Sequence, residues 1–210
     1  MGGSGQKTDQ MKIGLVLEGM KDGPDQKVLE PLVRKLVSAP VEVTSRTLGN
    51  KKKLLNGCGS VASELLSDEC DRVLIVWDLW PSWETIRPCR KEDRKSALTS
   101  LEEARVSLKK VRLLCIEQML ESWLLADASA LETLVTEWMH PRRPKRFRVP
   151  PAAVHNTKPK TILTKLFQEH GCRPYDDLAH AHKISSRWNA RSLERLAGIP
   201  TFKRFVKCLQ

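Results

Sequence analysis

An α/β fold built on a mostly parallel sheet is what this sequence predicts, because short apolar runs alternate along it with stretches of helical spacing. Lys12–Leu17 (KIGLVL), Arg72–Trp77 (RVLIVW) and Val111–Ile116 (VRLLCI) are compact apolar runs that end at turn or charged residues, as buried strands do. Val41–Thr47 (VEVTSRT) alternates apolar and polar residues and is rich in β-branched types, so it is expected as a strand with one exposed face.

Helices fill the intervals. Gly23-Pro24-Asp25 opens the first, with Asp25 suited to the N-cap and Val28, Leu29, Leu32, Val33 and Leu36 recurring at helical spacing. Pro31 sits awkwardly inside it, since proline removes a backbone donor. Val61–Leu66 fits a second helix and a charged stretch from Glu92 to Lys109 a third, after a loop over Leu79–Cys89. Glu117–Ala126 follows the last apolar run directly, with Leu120, Trp123 and Leu124 marking a helical face. The pattern changes at Trp138. His140–Val149 is basic and proline-rich, and beyond it helical stretches are expected around Thr161–His170, Asp177–Arg187, Arg191–Ala197 and Thr201–Leu209. The chain therefore divides into a leader over 1–10, an α/β core over 11–138, and a basic loop with a helical appendage over 139–210, packed on the core.

Composition narrows the function classes. At 210 residues the chain is long enough to bury a proper core. It has no apolar run near the roughly 20 residues needed to cross a bilayer, and no secretory signal pattern at its start. The cysteines at 58, 70, 89, 115, 172 and 208 form no Cys-x-x-Cys pair, so neither a disulfide framework nor a structural zinc site is expected. Reduced thiols in a cytoplasmic protein are the plain reading. The net charge of +11 is uneven: from Pro141 onward 16 Lys and Arg face 4 Asp and Glu, a balance of +12, which leaves −1 for the first 140 residues. Positive charge confined to one segment points to an anionic partner, with nucleic acid the leading candidate and a solvated basic surface the alternative. No Gly-x-x-x-x-Gly-Lys-Ser/Thr loop is present, which disfavours a nucleotide kinase.

In open α/β sheets ligands bind beyond the carboxyl ends of the strands. Three strands here end at acids: Glu18 after the first, Asp78 after RVLIVW, and Glu117 with Glu121 after VRLLCI. Carboxylates converging on one edge suit a hard divalent ion such as Mg2+ or Mn2+, which can polarise a phosphoryl oxygen and activate a water. Each has a structural alternative: Glu18 in turn chemistry, Asp78 as a cap, Glu117 at a helix N-terminus. Glu121 lies one turn beyond Glu117, where two like charges repel, and a shared cation would relieve the repulsion.

The Val-Leu-Glu-Gly run ending at Gly19, the LIVWD ending at Asp78 and the ESWLLAD of Glu121–Asp127 together resemble the DUF4276 family of Toprim-like proteins. Pro159-Lys160, Tyr175, His180 and the PTFKRFV of Pro200–Val206 resemble that family's C-terminal region, and the match runs from Met11 almost to the end. The resemblance implies a Toprim-like sheet and metal-dependent phosphodiester chemistry on DNA or RNA. It gives Glu18 the role of general acid/base or ligand and Asp78 that of metal ligand, and Glu121 matches the family's Glu-x-Trp acid. It also implies an ATPase partner in a bacterial defence or mobile-element setting. One position departs from the pattern, since Trp80 stands where the second aspartate of an Asp-x-Asp pair is expected. Glu84, Glu92 and Asp93 are the nearby substitutes. Trp80 and Trp83 are open to packing or to base stacking, with Arg87 and Arg90 on phosphates.

The expected function is thus a Mg2+- or Mn2+-dependent nuclease with Glu18, Asp78 and Glu121 as catalytic residues and these three with Glu117 around the metal. Arg142, Arg143, Arg146, Lys158, Lys160 and His180 are the expected nucleic-acid contacts. The alternative is a non-catalytic Toprim-like module that binds nucleic acid or regulates a partner.

Overall fold

The structure, a computed structural model, describes residues 10–81, 87–138 and 147–210. Four strands, β1 (Met11–Leu17), β2 (Val41–Thr47), β3 (Arg72–Asp78) and β4 (Val111–Ile116), form one sheet of order β2-β1-β3-β4 in which every neighbouring pair is parallel. Helices α1 (Pro24–Leu36), α2 (Lys51–Ser67) and α3 (Arg90–Glu103) make the crossovers. Beyond β4 come α4 (Glu121–Ala126) and α5 (Ala128–Trp138), a 3-10 turn at Pro151–His155, then α6 (Pro159–Glu169), α7 (Asp177–Ser185), α8 (Ala190–Ala197) and α9 (Pro200–Leu209).

Side chains alternate across a strand, so β1, β3 and β4 each feed two cores. On one face Val16, Val73, Ile75 and Trp77 pack against Leu54, Leu55 and Cys58 of α2 and Ala97 and Leu101 of α3. Gly59 allows those two helices to touch, because a Cβ there would lie 1.9 Å from the Ser100 carbonyl oxygen. On the other face Ile13, Leu15, Leu17, Leu74 and Val76 share one core with α1 and with Phe167, Trp188, Phe202 and Phe205 of the C-terminal region. The C-terminal helices are accordingly a layer over the sheet, with no core separate from it. Among the described residues no helix is long and apolar enough to cross a membrane.

Local chemistry accounts for the element ends. Proline at the first position of α1 lacks only an N–H that the helix would leave unpaired. Pro31 is accommodated on the exposed side of the same helix. Asn50 caps α2 by accepting from the Lys53 N–H at 2.9 Å, so this helix starts ten residues before the expected Val61. Glu117 precedes α4 and lies outside it. The strand order places the topological switch point between β1 and β3: the chain leaves β1 toward β2 on one side and returns to β3 on the other. A crevice at the carboxyl ends of those two strands is the position where such folds bind ligands.

Candidate active site

Glu18, just after β1, and Asp78, the last residue of β3, meet at this crevice. The backbone N–H of Asp78 donates to Oε2 of Glu18 at 3.1 Å, which ties the two strand ends together through the glutamate side chain. Oδ2 of Asp78 accepts from the Leu120 N–H at 3.3 Å, where the chain enters α4. Asp25, expected to cap α1, lies inside its first turn and accepts instead from the Gly19 N–H at 3.1 Å. Glu121 opens α4 and is buried. Glu18, Asp25, Asp78 and Glu121 all line one cavity of about 400 Å³, with Trp80, Tyr175, Asp177 and Lys160 among its other walls.

Gathering acids in a partly buried crevice raises the cost of ionising them. Burial pushes the Glu18 carboxyl up to about 7 from the ordinary 4.5, against the pull of the Asp78 N–H and the Lys51 charge. Burial, with the charges of Asp25, Glu18 and Glu121, drives Asp78 well above the usual carboxylate range. Asp25 and Glu121 are raised as well, chiefly by burial. Two acids of this cavity share an internal counter-ion. Lys160 of α6 pairs with Asp177 of α7 and stands 3.7 Å from Oε1 of Glu121. Burial alone would raise Asp177, but the Lys160 hydrogen bond and charge outweigh it and leave the carboxyl below its ordinary value. The buried Tyr175 hydroxyl has no hydrogen-bond partner among the described residues, and burial together with the Glu121 charge opposes its ionisation.

The expected site residues separate into two groups. Glu18, Asp78 and Glu121 come together. Glu117 does not join them: its carboxylate takes Arg90 at 2.9 Å and Arg204 of α9 at 2.7 Å, outside the cavity. Lys160 is part of the acidic cavity, whereas Lys158 is exposed just before α6. His180 is buried, its Nδ1 accepting from the Asp176 N–H at 2.8 Å and its ring packed among Trp138, Phe167 and Tyr175, which is the placement of a packing and capping residue. Arg142, Arg143 and Arg146 lie outside the described residues, as do Trp83 and Glu84. Of the substitutes for the missing aspartate, Glu92 is exposed on α3, and Asp93 is buried on the α2–α3 side of the sheet. There Asp93 accepts from Trp77 Nε1 at 3.2 Å and lies 3.8 Å from Lys51 Nζ.

Lys51 was not singled out by the sequence, yet it organises the rim. Only 3% exposed, its ammonium donates to the carbonyl oxygens of Leu79 and Pro81, each at 2.5 Å. That grip fixes the path of the chain leaving β3. A lysine in a Lys-Lys-Lys run carries no mark of burial. The second missed group, Asp177 with Tyr175, reaches the cavity only because α6 and α7 pack over the sheet.

As a donor set the cavity fits a hard divalent ion, since carboxylate oxygens predominate. Among the described residues, however, no group of three or more His, Cys, Asp or Glu side chains stands in geometry to hold a metal ion. No protein-family model matches the chain, nor does any curated protein or solved structure.

Proposed function

We propose that this chain is a metal-dependent nuclease of the Toprim-like DUF4276 kind, hydrolysing phosphodiester bonds of DNA or RNA. The observation that carries the proposal is the meeting of Glu18 and Asp78 at the β1/β3 switch point with Glu121 and Asp25 in the same cavity. Four mutually repelling carboxyls call for positive charge; Lys160 pairs with Glu121 and Asp177, and its charge and that of Lys51 offset the burial of the other acids only in part, since their carboxyls stay raised. Magnesium keeps several of its own waters and is usually held through one or two protein carboxylates, so Glu18 and Asp78 suffice without a closed cage. The bound ion supplies Lewis-acid polarisation of the phosphoryl oxygen and a more acidic water.

The chain's own groups do the rest. Glu18, with a carboxyl near pH 7, exchanges a proton readily at neutral pH and suits a general base toward water or an acid toward the leaving oxygen. Leu120 N–H and Glu18 hold Asp78 in place from either side. Lys160, anchored by Asp177, offers its charge at the wall where a phosphoryl oxygen would lie. The ATPase partner is carried by the sequence resemblance alone, and the cytoplasmic setting by the unpaired cysteine pattern.

Lys160 also favours a second reading. An ammonium already paired with Glu121, together with Trp80 at the position of an aspartate ligand, is what a non-catalytic binding module would retain. Incubating the purified chain with single-stranded and duplex DNA and RNA in Mn2+ or Mg2+ separates the two. Cleavage that Asp78→Asn abolishes supports the enzyme; binding without cleavage, alone or with an ATPase partner, supports the module.

A further inference from the structure

A second cavity, of about 260 Å³, lies between α1 and α7. Among the described residues no acidic one lines it. Its polar walls are Lys27 and Lys35 of α1, His182, Ser185 and Ser186 at the end of α7 or just after it, and Trp188. Trp188 is 2% exposed, and its indole Nε1–H has no hydrogen-bond partner among the described residues. A buried donor left unpaired is costly, and Trp188 is one of the residues that line this cavity. Lys35 fixes the position of that residue by donating to the Trp188 carbonyl. Lys27 is exposed and makes no ion pair among the described residues. Burial and the charges of Lys27 and Lys183 hold the His182 imidazolium below its ordinary range, a sign of the positive field here. Two ammonium groups, an unspent indole N–H and an imidazole, with no carboxylate among the described lining residues, suit an oxyanion bearing several acceptor oxygens, while the Ser185 and Ser186 hydroxyls already donate to the His182 and Lys183 carbonyls.

The same two helices line both cavities. Pro24 and Asp25 of α1, with Asp177, Leu178 and Ala181 of α7, line the acidic cavity, whereas the basic one is lined along α1 from Lys27 to Lys35 and by His182 and Ser185 of α7. From Asp25 to Lys35 the rise along α1 is about 15 Å, which a few nucleotides of extended strand span.

We propose that the α1–α7 cavity is a phosphate subsite, filled by a backbone phosphate of the same strand whose scissile phosphate lies at Glu18 and Asp78. The strand rests on the proposed nuclease reading; the phosphate chemistry does not.

The test uses the whole chain in EDTA, so that it is independent of cleavage. Calorimetric titration with inorganic phosphate, against chloride at equal ionic strength, measures the subsite itself, and anisotropy with a labelled single-stranded oligonucleotide measures the strand. Lys27→Glu changes an exposed residue, and Trp188→Phe removes the donor while keeping a smaller aromatic ring. Each should weaken phosphate binding at least fivefold. Lys27→Glu should also weaken oligonucleotide binding and lower its salt slope by about 0.7, one phosphate on a single strand. Phosphate binding lost in both variants with an unchanged oligonucleotide slope would assign the cavity to a free phosphate or monoester and overturn the strand. No phosphate binding by the unmodified chain, or equal binding by both variants with unchanged melting, would overturn the subsite. A chain that never cuts nucleic acid yet shows the variant effects in EDTA would keep the subsite and sink the nuclease reading alone.

Discussion

Glu18 and Asp78 are joined through a hydrogen bond in which the aspartate's backbone N–H donates to the glutamate's Oε2 at 3.1 Å. The contact spans the gap between two parallel strands whose other neighbours, β2 and β4, lie on opposite sides of the sheet, and it gives one carboxylate two tasks. Glu18 closes the sheet edge, and it faces a cavity where its charge is unwelcome.

The charge has a thermodynamic consequence. Folded, Glu18 holds its proton up to about pH 7, whereas its ordinary value is 4.5. Between those values the folded chain binds more protons than the unfolded one, so stability is highest at the acid end and falls as pH rises through the window. Asp25, Asp78 and Glu121 are raised too and act with the same sign. Urea unfolding should show a loss of about 1–3 kcal/mol from Glu18 between pH 5 and pH 8, allowing for solvent screening. Glu18→Gln should flatten the profile, and millimolar Mg2+ at pH 8 should restore part of the loss. A profile of equal steepness in Glu18→Gln would place the titration elsewhere.

Asp78→Asn removes a charge that the fold disfavours while keeping the acceptor for the Leu120 N–H. The variant should melt at a higher temperature than the unmodified chain at neutral pH. Cleavage should nonetheless fall by at least about a hundredfold, as loss of a group that holds an ion or directs a proton does. Calorimetry and a gel assay on one preparation test the two together, and a lower melting temperature would deny that Asp78 is electrostatically strained.

Strands β1, β3 and β4 were legible because buried parallel strands are dense in apolar residues, and each ended within one residue of its expected limit. Their acidic followers were legible for the same reason: a carboxylate after such a run stands at the sheet edge whatever else the chain does. What happens to it there was not legible. Glu117 was expected beside Glu121 around the metal, but Arg204, 87 residues further along, takes it, and Glu121 alone is buried in the cavity at the start of α4. The early start of α2 was hidden because Gly57 and Gly59 weaken its helical pattern, and Gly59 is there to let α3 approach. Asp177 and Tyr175 enter the site by tertiary packing, which no local pattern records.

Lys51 binds the two halves of the rim. Lys51→Met would leave the Leu79 and Pro81 carbonyls unserved and Asp93 buried without its cation. Breaking such a buried pair from one side costs about 3–5 kcal/mol, and the melting temperature should drop on the order of 10 °C. Double substitution with Asp93→Asn should recover part of the loss. Thermal melts of the single and double variants decide this, and a drop of only a degree or two would mean that the loop after β3 holds itself.

Lys160 is the internal rival of any bound ion. In Lys160→Met, Glu121 and Asp177 lose their shared ammonium, so the chain should be less stable without metal. A divalent ion should then bind more tightly, because no ammonium competes for the same carboxylates. Melting curves with and without 5–10 mM Mn2+, on the order of the expected affinity, should show a larger ion-induced shift in the variant. An equal or smaller shift would mean that the acidic cavity holds no ion near Glu121.

Trp80 decides whether the site can be completed. The residue lines the cavity, and the chain around it is held from both sides. Leu79 N–H donates to the Ile116 carbonyl at 2.7 Å and Trp80 N–H to that of Gln118 at 3.2 Å, while Lys51 grips the carbonyls of Leu79 and Pro81. None of these contacts uses the indole, so Trp80→Asp should leave the path of the backbone intact and add a carboxylate to the cavity wall. Manganese, which binds ligands more tightly than magnesium does, is the ion to titrate. Affinity should rise about tenfold in Trp80→Asp and stay unchanged in Trp80→Asn, which removes the same ring without adding charge. Tighter binding in both variants would show that the indole merely blocked access. No gain in Trp80→Asp, with its melting temperature within a few degrees of the parent, would place the ion away from the β3 edge and remove the ground for assigning Asp78 as its ligand.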